Sequence, residues 1–268
     1  MLYSAIARRG SRWAGTKGGV RLCLVGPLSK AQVDKLGDRL RRGRIAEGDF
    51  RQLDAYRRSF AEPYEEIAAI VRNETGLEPT GRPAKSTTSI IEKLCRETTR
   101  LSQMQDIAGC RLVVPNVLVQ NQVVDQLTSV LPRAVVVDRR NQPSFGYRAV
   151  HIIARARSKP VEIQVRTELQ HLWAQLSEKL SDVFGAAIKY GGGDSEVQEH
   201  LSGSSAGIAA LEDLELQLSG LALSESPELR SLAARLTGEV AQRKRNLRQL
   251  LEEAITMRGI SPEPEGGE

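Results

Sequence analysis

Val161-Glu162-Ile163-Gln164-Val165-Arg166 alternates apolar and polar side chains along its whole length. Successive side chains of a β-strand point to opposite faces, so Val161, Ile163 and Val165 share one face and the polar residues share the other. The pattern predicts a strand with its apolar face on a core. Its polar face carries a carboxylate, an amide and a guanidinium, and it is either ordinary solvated surface or the floor of a binding site.

A segment just upstream favours a site over a solvated surface. Residues 147–156 are predicted to form a strand that pairs with 161–166 through a turn at 158–160. The strand period places Tyr147 and His151 on one face. If the two strands pair, an aromatic ring, an imidazole, a carboxylate, an amide and a guanidinium share a surface. Such a set can stack a base, bind phosphate and hold a metal.

A basic segment precedes these strands. Lys85, Ser89 and Lys93 follow one another at intervals of four residues, and Ser86 or Thr87 can cap a helix there. The spacing predicts that the three residues line one helix face near its N-terminus. A helix N-terminus with two cations favours polyphosphate binding, and the alternative is a solvated basic face.

A third group follows in Asp106-Ile-Ala-Gly109-Cys-Arg111. Asp106 is predicted to lie at the mouth of a strand over 107–114, and Arg111 lies within that otherwise apolar strand. A buried arginine needs a carboxylate partner or an anionic ligand. Asp106 and Glu162 together supply the one or two carboxylates that Mg²⁺ usually takes, besides substrate phosphate oxygens.

The rest of the chain predicts helices interleaved with strands. Helices are expected over 29–43, over 49–75 with a kink or division at Pro63, and over 87–94, 117–131, 167–184, 200–221 and 228–258, with a further strand over 134–138. This order indicates an α+β (mixed α/β) fold, a central β-sheet flanked by helices. The predicted organisation is a basic flexible extension (1–27), N-terminal helices (28–80), a core (81–190), C-terminal helices (195–260) and a disordered tail (261–268).

Composition narrows the class of protein. The 268 residues carry a net charge of +5, which suits a polyanionic partner or simply reflects a Lys/Arg-rich surface. The three cysteines are widely spaced, which favours a reducing compartment. No apolar run approaches the roughly 18 residues that span a bilayer. We therefore expect a soluble cytoplasmic protein without membrane partners.

Four segments, in this order along the chain, resemble the synthetase domain of the RelA/SpoT family: 82–93, 106–111, 146–151 and 162–167. The resemblance covers about residues 45–185. It implies a nucleotidyltransferase-like synthetase domain with a mixed sheet. It also implies a Mg²⁺-dependent, GTP pyrophosphokinase-like enzyme that transfers pyrophosphate from ATP to the 3′-hydroxyl of GDP or GTP, making (p)ppGpp.

The resemblance also implies roles for individual residues. On the metal and donor side these are Asp106 as a Mg²⁺ ligand, Glu162 as a second Mg²⁺ ligand or as general base, Arg82 and Arg111 flanking the adenine of ATP, and Lys85, Ser89 and Lys93 serving its phosphates. On the acceptor side these are Tyr147 stacking on the base, and His151, Gln164 and Arg166 orienting acceptor and phosphates.

Three departures from the family pattern keep other acceptors open. Arg82-Pro-Ala-Lys85 is one residue longer than the usual Arg-x-Lys, Pro143-Ser-Phe145-Gly-Tyr147 replaces Lys-Pro-Asn-Gly-Tyr, and Gln175 replaces a glutamate. Because the polar groups expected to read guanine are missing near Phe145, the acceptor could instead be an adenine nucleotide or the tRNA 3′ end, as in toxic relatives.

Two further expectations concern class and partners. A non-catalytic nucleotide-binding regulator is disfavoured because Asp106 and Glu162 are both retained. No upstream His-Asp pair is found, so no alarmone hydrolase domain is expected. The leucines of the C-terminal helices, at positions 211, 214, 216, 218 and 221, favour core packing. The alternative is contact with a second copy or an antitoxin-like partner.

Overall fold

A five-stranded mixed sheet, with strand order β1-β2-β5-β4-β3, forms the centre of the structure. The computed structural model describes residues 28–257, so the predictions for 1–27 and for 258–268 lie outside the described residues. The strands are β1 (Thr80–Arg82), β2 (Gly109–Val114), β3 (Val135–Asp138), β4 (Val150–Ala156) and β5 (Lys159–Thr167). β2 and β5 are parallel and the other pairs are antiparallel, which confirms the predicted mixed sheet.

Helices surround this sheet. Within residues 28–257 they are α1 (Lys30–Arg41), α2 (Glu47–Arg58), α3 (Ala61–Thr75), α4 (Thr87–Arg96), α5 (Val117–Val130), α6 (Glu168–Phe184), α7 (Ser195–Leu221) and α8 (Pro227–Thr256). Short 3₁₀ segments lie at Leu101–Gln103 and Ala186–Tyr190. None of these helices is both long enough and apolar enough to cross a membrane.

The alternation in β5 divides the sheet into two faces as predicted. Val161, Ile163 and Val165 are fully buried in the main core, which they share with residues of α3 and α5. The side chains of Glu162 and Gln164 lie on the opposite face and remain partly accessible. The burial of the apolar side therefore fixes which residues of β5 are available for a ligand.

The strand register places polar side chains side by side on that second face. Gln164 pairs with Arg111 of β2 on one side and with His151 of β4 on the other. Glu162 pairs with Gly109, where a Cβ atom would lie only 2.8 Å from the Glu162 backbone oxygen. Glycine at position 109 thus permits the close pairing and leaves open space beside the Glu162 carboxylate.

Three predicted features of the central strands are wrong. The turn between β4 and β5 is Arg157-Ser158, with φ of 49° and 65°, rather than residues 158–160. These angles match the two-residue hairpin turn whose twist suits paired strands. Tyr147 precedes β4 and lies in a turn that it closes with Ser144 by an isolated bridge. β2 also begins two residues later than predicted, at Gly109.

The N-terminal helices correct two further predictions. The segment 49–75 divides at Ser59-Phe60, and Pro63 is the third residue of α3, where no intrahelical N–H bond is lost. Gly76 ends α3 in the left-handed region. Ser86 caps α4, so Lys85 precedes that helix and does not share its face with Ser89.

The C-terminal helices α7 and α8 form a hairpin packed against α6. The predicted leucine pattern is only partly a packing face. Leu218 is buried, whereas Leu214 and Leu221 are 39% and 38% exposed. The buried residues of α7 are instead Leu201, Ser205, Ile208, Glu212 and Leu218.

Arg41 ties α1 to the end of α4. Its Nε donates to the Leu94 carbonyl oxygen at 2.7 Å, and its Nη2 donates to the carbonyl oxygens of Glu97 and Thr99. The last carbonyls of a helix have no intrahelical donor, so a charged donor satisfies three groups at once.

We therefore predict that Arg41→Met lowers the free energy of unfolding by about 2 kcal/mol, because several carbonyl oxygens lose a charged donor. The adjacent exposed arginine provides the control, since Arg42→Met should change the free energy by less than about 0.5 kcal/mol. Urea denaturation of both variants measures the difference, and equal stabilities would contradict the role given to Arg41.

Candidate active site

Five side chains on the open face of the sheet form a closed ring of hydrogen bonds. Glu162 Oε1 lies 2.9 Å from His151 Nδ1, and His151 Nε2 lies 2.8 Å from the Tyr147 hydroxyl. Arg166 Nη2 donates to that hydroxyl and to Gln164 Oε1, both at 2.9 Å. Gln164 Nε2 closes the ring by donating to Glu162 Oε2 at 2.7 Å. The ring fixes the rotamers of all five residues.

One proton assignment satisfies the whole ring. Arg166 can only donate, so the Tyr147 oxygen accepts and its O–H is free to donate to His151 Nε2. His151 then carries a proton on Nδ1 and donates a hydrogen bond from it to Glu162. Every contact is a proper donor–acceptor pair with Glu162 ionised. The network therefore favours a carboxylate, and not a carboxylic acid, at position 162.

The electrostatics of Glu162 agree with this assignment. Burial raises the pKa of Glu162, but the hydrogen bonds from His151 and Gln164 lower it by more than burial raises it. The net pKa of Glu162 therefore lies below its ordinary value. Each carboxylate oxygen retains a lone pair beyond those used in the ring. Glu162 is thus ionised at neutral pH and can still accept a hydrogen bond from another donor.

Asp106 lies near this ring and faces two ammonium groups. Lys85 Nζ is 2.7 Å from Asp106 Oδ2, and Lys93 Nζ is 3.0 Å from Oδ1. Lys85 comes from the segment before α4 and Lys93 from the helix itself. Burial raises the pKa of Asp106, but the charges of Lys93 and Lys85 outweigh it, and the net pKa is lowered. Asp106 is therefore also ionised.

The two carboxylates fit a hard divalent cation. Each is close enough to influence the other, since the Asp106 charge raises the pKa of Glu162. Asp106 Oδ1 is buried and lies 3.0 Å from Lys93 Nζ, and beyond this ion pair the oxygen retains a lone pair for a ligand. Mg²⁺ usually takes one or two carboxylates and completes its shell with water and phosphate oxygens. The donor set matches that requirement, although no third metal-ligating side chain joins these two within residues 28–257.

A polar cavity of about 530 Å³, lined by both cationic and carboxylate side chains, opens beside the Glu162 carboxylate. We call it the Arg111 cavity; its lining includes Arg82, Lys85, Asp106, Arg111, Glu162, Arg166 and Glu178. The Nε atoms of Arg111 and Arg166 are buried without a hydrogen-bond partner among the described residues. Guanidinium groups with unused donors are suited to binding an anionic ligand.

The lowered pKa of the nearby His171 reflects its burial and the positive charges around it. Burial, followed by the charges of Arg111 and Arg166, lowers the pKa of His171 to about 4. This histidine lies in α6, immediately after the strand that carries Arg166. A neutral imidazole beside two guanidinium groups adds no further charge, so the positive potential is left for a ligand.

Two further spaces adjoin the ring on its other side. The His151 cavity, also about 530 Å³, is lined by residues that include Lys93, Asp106, Arg139, Tyr147, His151 and Glu162. The Phe145 cleft, about 510 Å³, is lined by residues that include Arg96, Phe145, Tyr147, Arg166, Trp173 and Tyr190. Arg166 borders all three spaces, and Glu162 borders the two 530 Å³ cavities.

The Phe145 cleft is aromatic, whereas the two 530 Å³ cavities are lined mainly by polar and charged side chains. Phe145 and Tyr190 are 58% and 42% exposed, and the Arg96 guanidinium lies over the Tyr190 ring at 4.0 Å. The remaining wall includes the buried Trp173. Exposed aromatic faces beside a guanidinium form a stacking surface for a planar ring.

The structure brings most of the predicted site residues together. Glu162, Asp106, Arg82, Lys85, Lys93, Arg111, Tyr147, His151, Gln164 and Arg166 all line one or more of these spaces. Ser89 does not line any of the three, and its hydroxyl accepts a hydrogen bond from Ser86 at 2.8 Å. Lys93 lines the His151 cavity, not the Arg111 cavity that holds Lys85.

Sequence reasoning missed several lining residues. Arg139 supplies a cation to the His151 cavity and donates to the Ser144 hydroxyl at 3.1 Å. Arg96 and Tyr190 are distant in sequence and meet only through folding. Glu178 borders both the Arg111 cavity and the Phe145 cleft, whereas the neighbouring Gln175 is exposed and lines neither. Glu178 lies one turn beyond Ala174 on α6, a helical spacing that could have revealed it.

The acid dependence of stability provides a test of the Glu162 environment. A carboxylate with a lowered folded pKa stabilises the fold above its unfolded value of about 4.5 and loses that contribution as the pH falls. We predict that Glu162→Gln flattens the decline of the free energy of unfolding as the pH falls below about 5.

Urea denaturation at several pH values measures this decline. The control is Glu199→Gln, which changes an exposed carboxylate on α7 and should leave the decline as in the wild type. Identical pH dependence in the wild type and in Glu162→Gln would contradict the lowered pKa.

Comparisons with known proteins agree with this geometry. Residues 81–181 match the family model described as a region found in RelA / SpoT proteins. An uncharacterized protein of Mycobacterium tuberculosis and one of Mycobacterium bovis are each 38% identical over 113 residues, which is 40% of this chain. The chain spans 41% of the length of these curated relatives.

A solved structure shares the fold. The small alarmone synthetase 1 from Bacillus subtilis, in its crystal structure bound to its product pppGpp, superposes with a TM-score of 0.50 at 22% identity. The match covers 63% of this chain and 97% of that chain. The sheet and its flanking helices are thus arranged as in that synthetase, and the chain carries at residues 81–181 the region found in RelA / SpoT proteins.

Proposed function

We propose that this protein is a Mg²⁺-dependent pyrophosphokinase that transfers pyrophosphate from ATP to the 3′-hydroxyl of a guanine nucleotide, GDP or GTP. The observation that carries the proposal is the position of Glu162. Its ionised carboxylate borders both the Arg111 cavity and the His151 cavity, and the His151 cavity shares Tyr147 and Arg166 with the aromatic Phe145 cleft. That arrangement suits a reaction between two nucleotides.

The Arg111 cavity suits ATP. Arg82 and Arg111 can place planar guanidinium groups against an adenine ring, while Lys85 and Arg166 can neutralise its phosphates. Glu178, on the same cavity wall, can accept a hydrogen bond from an exocyclic amino group. The region matched by the RelA/SpoT model includes all of these residues.

The His151 cavity and the Phe145 cleft suit the acceptor. Tyr147 lines both, so a base stacked near its ring can extend phosphates toward Arg139 and Lys93. Arg139 thereby supplies the acceptor-side cation that is missing from the segment 143–147. An acceptor bound in this way places its ribose near Glu162.

Asp106 and Glu162 would hold the Mg²⁺ ion, which when bound would neutralise charge on the transferred pyrophosphate. Glu162 accepts the proton of the 3′-hydroxyl as the oxygen forms a bond to the β-phosphorus of ATP. The bond between that phosphorus and its bridging oxygen to the α-phosphate breaks, and AMP leaves. Lys85 and Arg166 stabilise the charge that develops on the phosphate oxygens.

A second candidate retains this chemistry but changes the acceptor. The Phe145 cleft offers stacking surfaces, and the amide expected beside a guanine is replaced by Phe145 itself. A cleft that binds mainly by stacking discriminates weakly between bases. An adenine nucleotide or the unpaired 3′ end of a tRNA is therefore the alternative acceptor. An antitoxin-like partner would accompany a toxic activity of that kind.

A non-catalytic nucleotide-binding regulator is the remaining alternative. It would not require two ionised carboxylates held by paired lysines and a closed hydrogen-bond ring. Ionised buried carboxylates are costly unless they are paired, and here the pairing also leaves lone pairs free for a ligand. The intact ring supports the enzyme over the regulator.

Incubation of the purified protein with Mg²⁺ and ATP labelled at the β- and γ-phosphates tests the proposal. Separate reactions contain GDP, GTP, AMP, ADP, additional unlabelled ATP or bulk tRNA. We predict label in GDP or GTP, and loss of at least about 1,000-fold of the rate in Glu162→Gln, since the proton acceptor is removed.

Glu199→Gln, which alters an exposed carboxylate, should retain full activity. Label in adenine nucleotides or in RNA would instead favour the second candidate. No label in any acceptor would overturn the proposal that the protein is an enzyme. Full activity of a folded Glu162→Gln variant would overturn the role of Glu162.

A matched pair of substitutions separates the stacking role of Tyr147 from its role in the ring. We predict that Tyr147→Ala raises the KM for the acceptor about tenfold or more, with the KM for ATP changed less than about twofold. Tyr147→Phe keeps the ring face and loses the hydroxyl, so it should retain the acceptor KM and lower kcat. Initial rates at varied concentrations of each substrate measure the split, and an unchanged acceptor KM in Tyr147→Ala would exclude stacking.

A further inference from the structure

Two polar residues lie on the packed face of α7, where apolar residues are expected. Leu201, Ser205, Ile208 and Glu212 follow at helical spacing and are all buried. Ser205 and Glu212 are each only 4% exposed. A buried hydroxyl or carboxylate is costly unless it is hydrogen-bonded, so the partners of these two residues indicate what the helix does.

Ser205 holds the backbone just before Tyr147. Its hydroxyl donates to the Gly146 carbonyl oxygen at 2.6 Å. Gly146 has φ of 85°, and a Cβ there would lie 2.6 Å from Trp173 Cζ2. Trp173 Nε1 in turn donates to the Leu201 carbonyl oxygen of α7 at 2.8 Å. The turn that presents Tyr147 is therefore held between α6 and α7.

Glu212 holds the side chain of Thr167, the residue directly after Arg166. Its Oε1 accepts from the Thr167 hydroxyl at 2.6 Å and from Gln170 Nε2 at 2.9 Å. Gln120 Nε2 donates to the Val165 carbonyl oxygen at 2.8 Å and to Gln170 Oε1 at 2.9 Å. The end of β5 is thus enclosed by a buried polar network that ends on α7.

The contacts of Ser205 with Gly146 and of Glu212 with Thr167, which we call the two anchors, adjoin one functional contact. Tyr147 directly follows the anchored Gly146, and Arg166 directly precedes the anchored Thr167. A hydrogen bond of 2.9 Å joins Tyr147 to Arg166. α7 (Ser195–Leu221) lies outside residues 81–181, the part that matches the RelA/SpoT region. The helix therefore reaches into the site from a segment that the family comparison does not include.

We propose that α7 belongs to the acceptor site and that Ser205 and Glu212 are positioning residues, which hold Tyr147 and Arg166 in place. The proposal rests on the proposed function, because it assigns Tyr147 to the acceptor. Loss of an anchor loosens the Tyr147 turn or the end of β5 and weakens acceptor binding. Lys85 still meets the ATP phosphates, and Arg82 and Arg111 still meet the adenine, because α7 does not contact these three residues through the anchors.

Ser205→Ala and Ser204→Ala test the proposal as a matched pair. The Ser204 hydroxyl donates to the Leu201 carbonyl oxygen within its own helix, so its removal changes the same helix without touching the turn. We expect Ser205→Ala to raise the acceptor KM about fivefold, as the loss of one hydrogen bond predicts, with the ATP KM unchanged. Ser204→Ala should match the wild type in both.

Hydrogen–deuterium exchange provides a readout that does not depend on turnover. Peptides covering 143–149 should exchange faster in Ser205→Ala, while peptides from α5 should not change. Glu212→Gln, which preserves volume, should accelerate exchange at 165–170 and raise the acceptor KM in the same way. It also tests the proposal if Ser205→Ala is poorly folded.

The outcomes separate this inference from the proposed function. Unchanged exchange at 143–149, or faster exchange with an unchanged acceptor KM, overturns the role of α7. If the wild type transfers label to no acceptor, the proposed function fails. The role of α7 is then decided by equilibrium dialysis with labelled GDP and with a non-hydrolysable ATP analogue. The role of α7 is supported if Ser205→Ala binds GDP more weakly than the wild type and binds the ATP analogue equally well. Any other result overturns that role.

Discussion

The hydrogen-bond ring around Glu162 is the interaction on which the site depends. It joins Glu162, Gln164 and Arg166 of one strand to His151 of the next and to Tyr147 of the preceding turn. A carboxylate in such a half-buried position would be costly without these donors. The ring stabilises its ionised form and also fixes the aromatic ring and the guanidinium that face the neighbouring cavities.

The sheet makes this ring geometrically available. The parallel pairing of β2 with β5 sets Gly109 opposite Glu162, and the antiparallel pairing of β4 with β5 sets His151 opposite Gln164. A register slip of one residue would turn every polar side chain of β5 into the core. Around the sheet, α4 brings Lys93 to Asp106 and α7 anchors the ends of the Tyr147–Arg166 contact. The site therefore combines one rigid floor with walls from separate helices.

The floor was predictable from sequence because it follows from the two-residue period of one strand. Val161, Ile163 and Val165 identify the buried face without any knowledge of the fold. Asp106 and the basic residues near α4 were also found from the sequence pattern, and the resemblance to RelA/SpoT proteins then added their roles. The walls were not predictable in this way. Arg96 meets Tyr190 across 94 positions of the chain, and Ser205 meets the Gly146 carbonyl across 59. Tyr147 was placed in a strand because its segment alternates, yet the backbone turns at Gly146, where φ is 85°.

The fate of ATP tests the central claim most directly. In a reaction with Mg²⁺, ATP and GDP, the amounts of AMP, ADP and free pyrophosphate can be measured by ion-exchange chromatography beside the modified acceptor. Attack at the β-phosphorus predicts that AMP accumulates in a one-to-one ratio with pyrophosphorylated GDP and that no ADP forms. Accumulation of ADP, or of free pyrophosphate with an adenylylated acceptor, would contradict the mechanism in which Glu162 directs a 3′-hydroxyl to the β-phosphate.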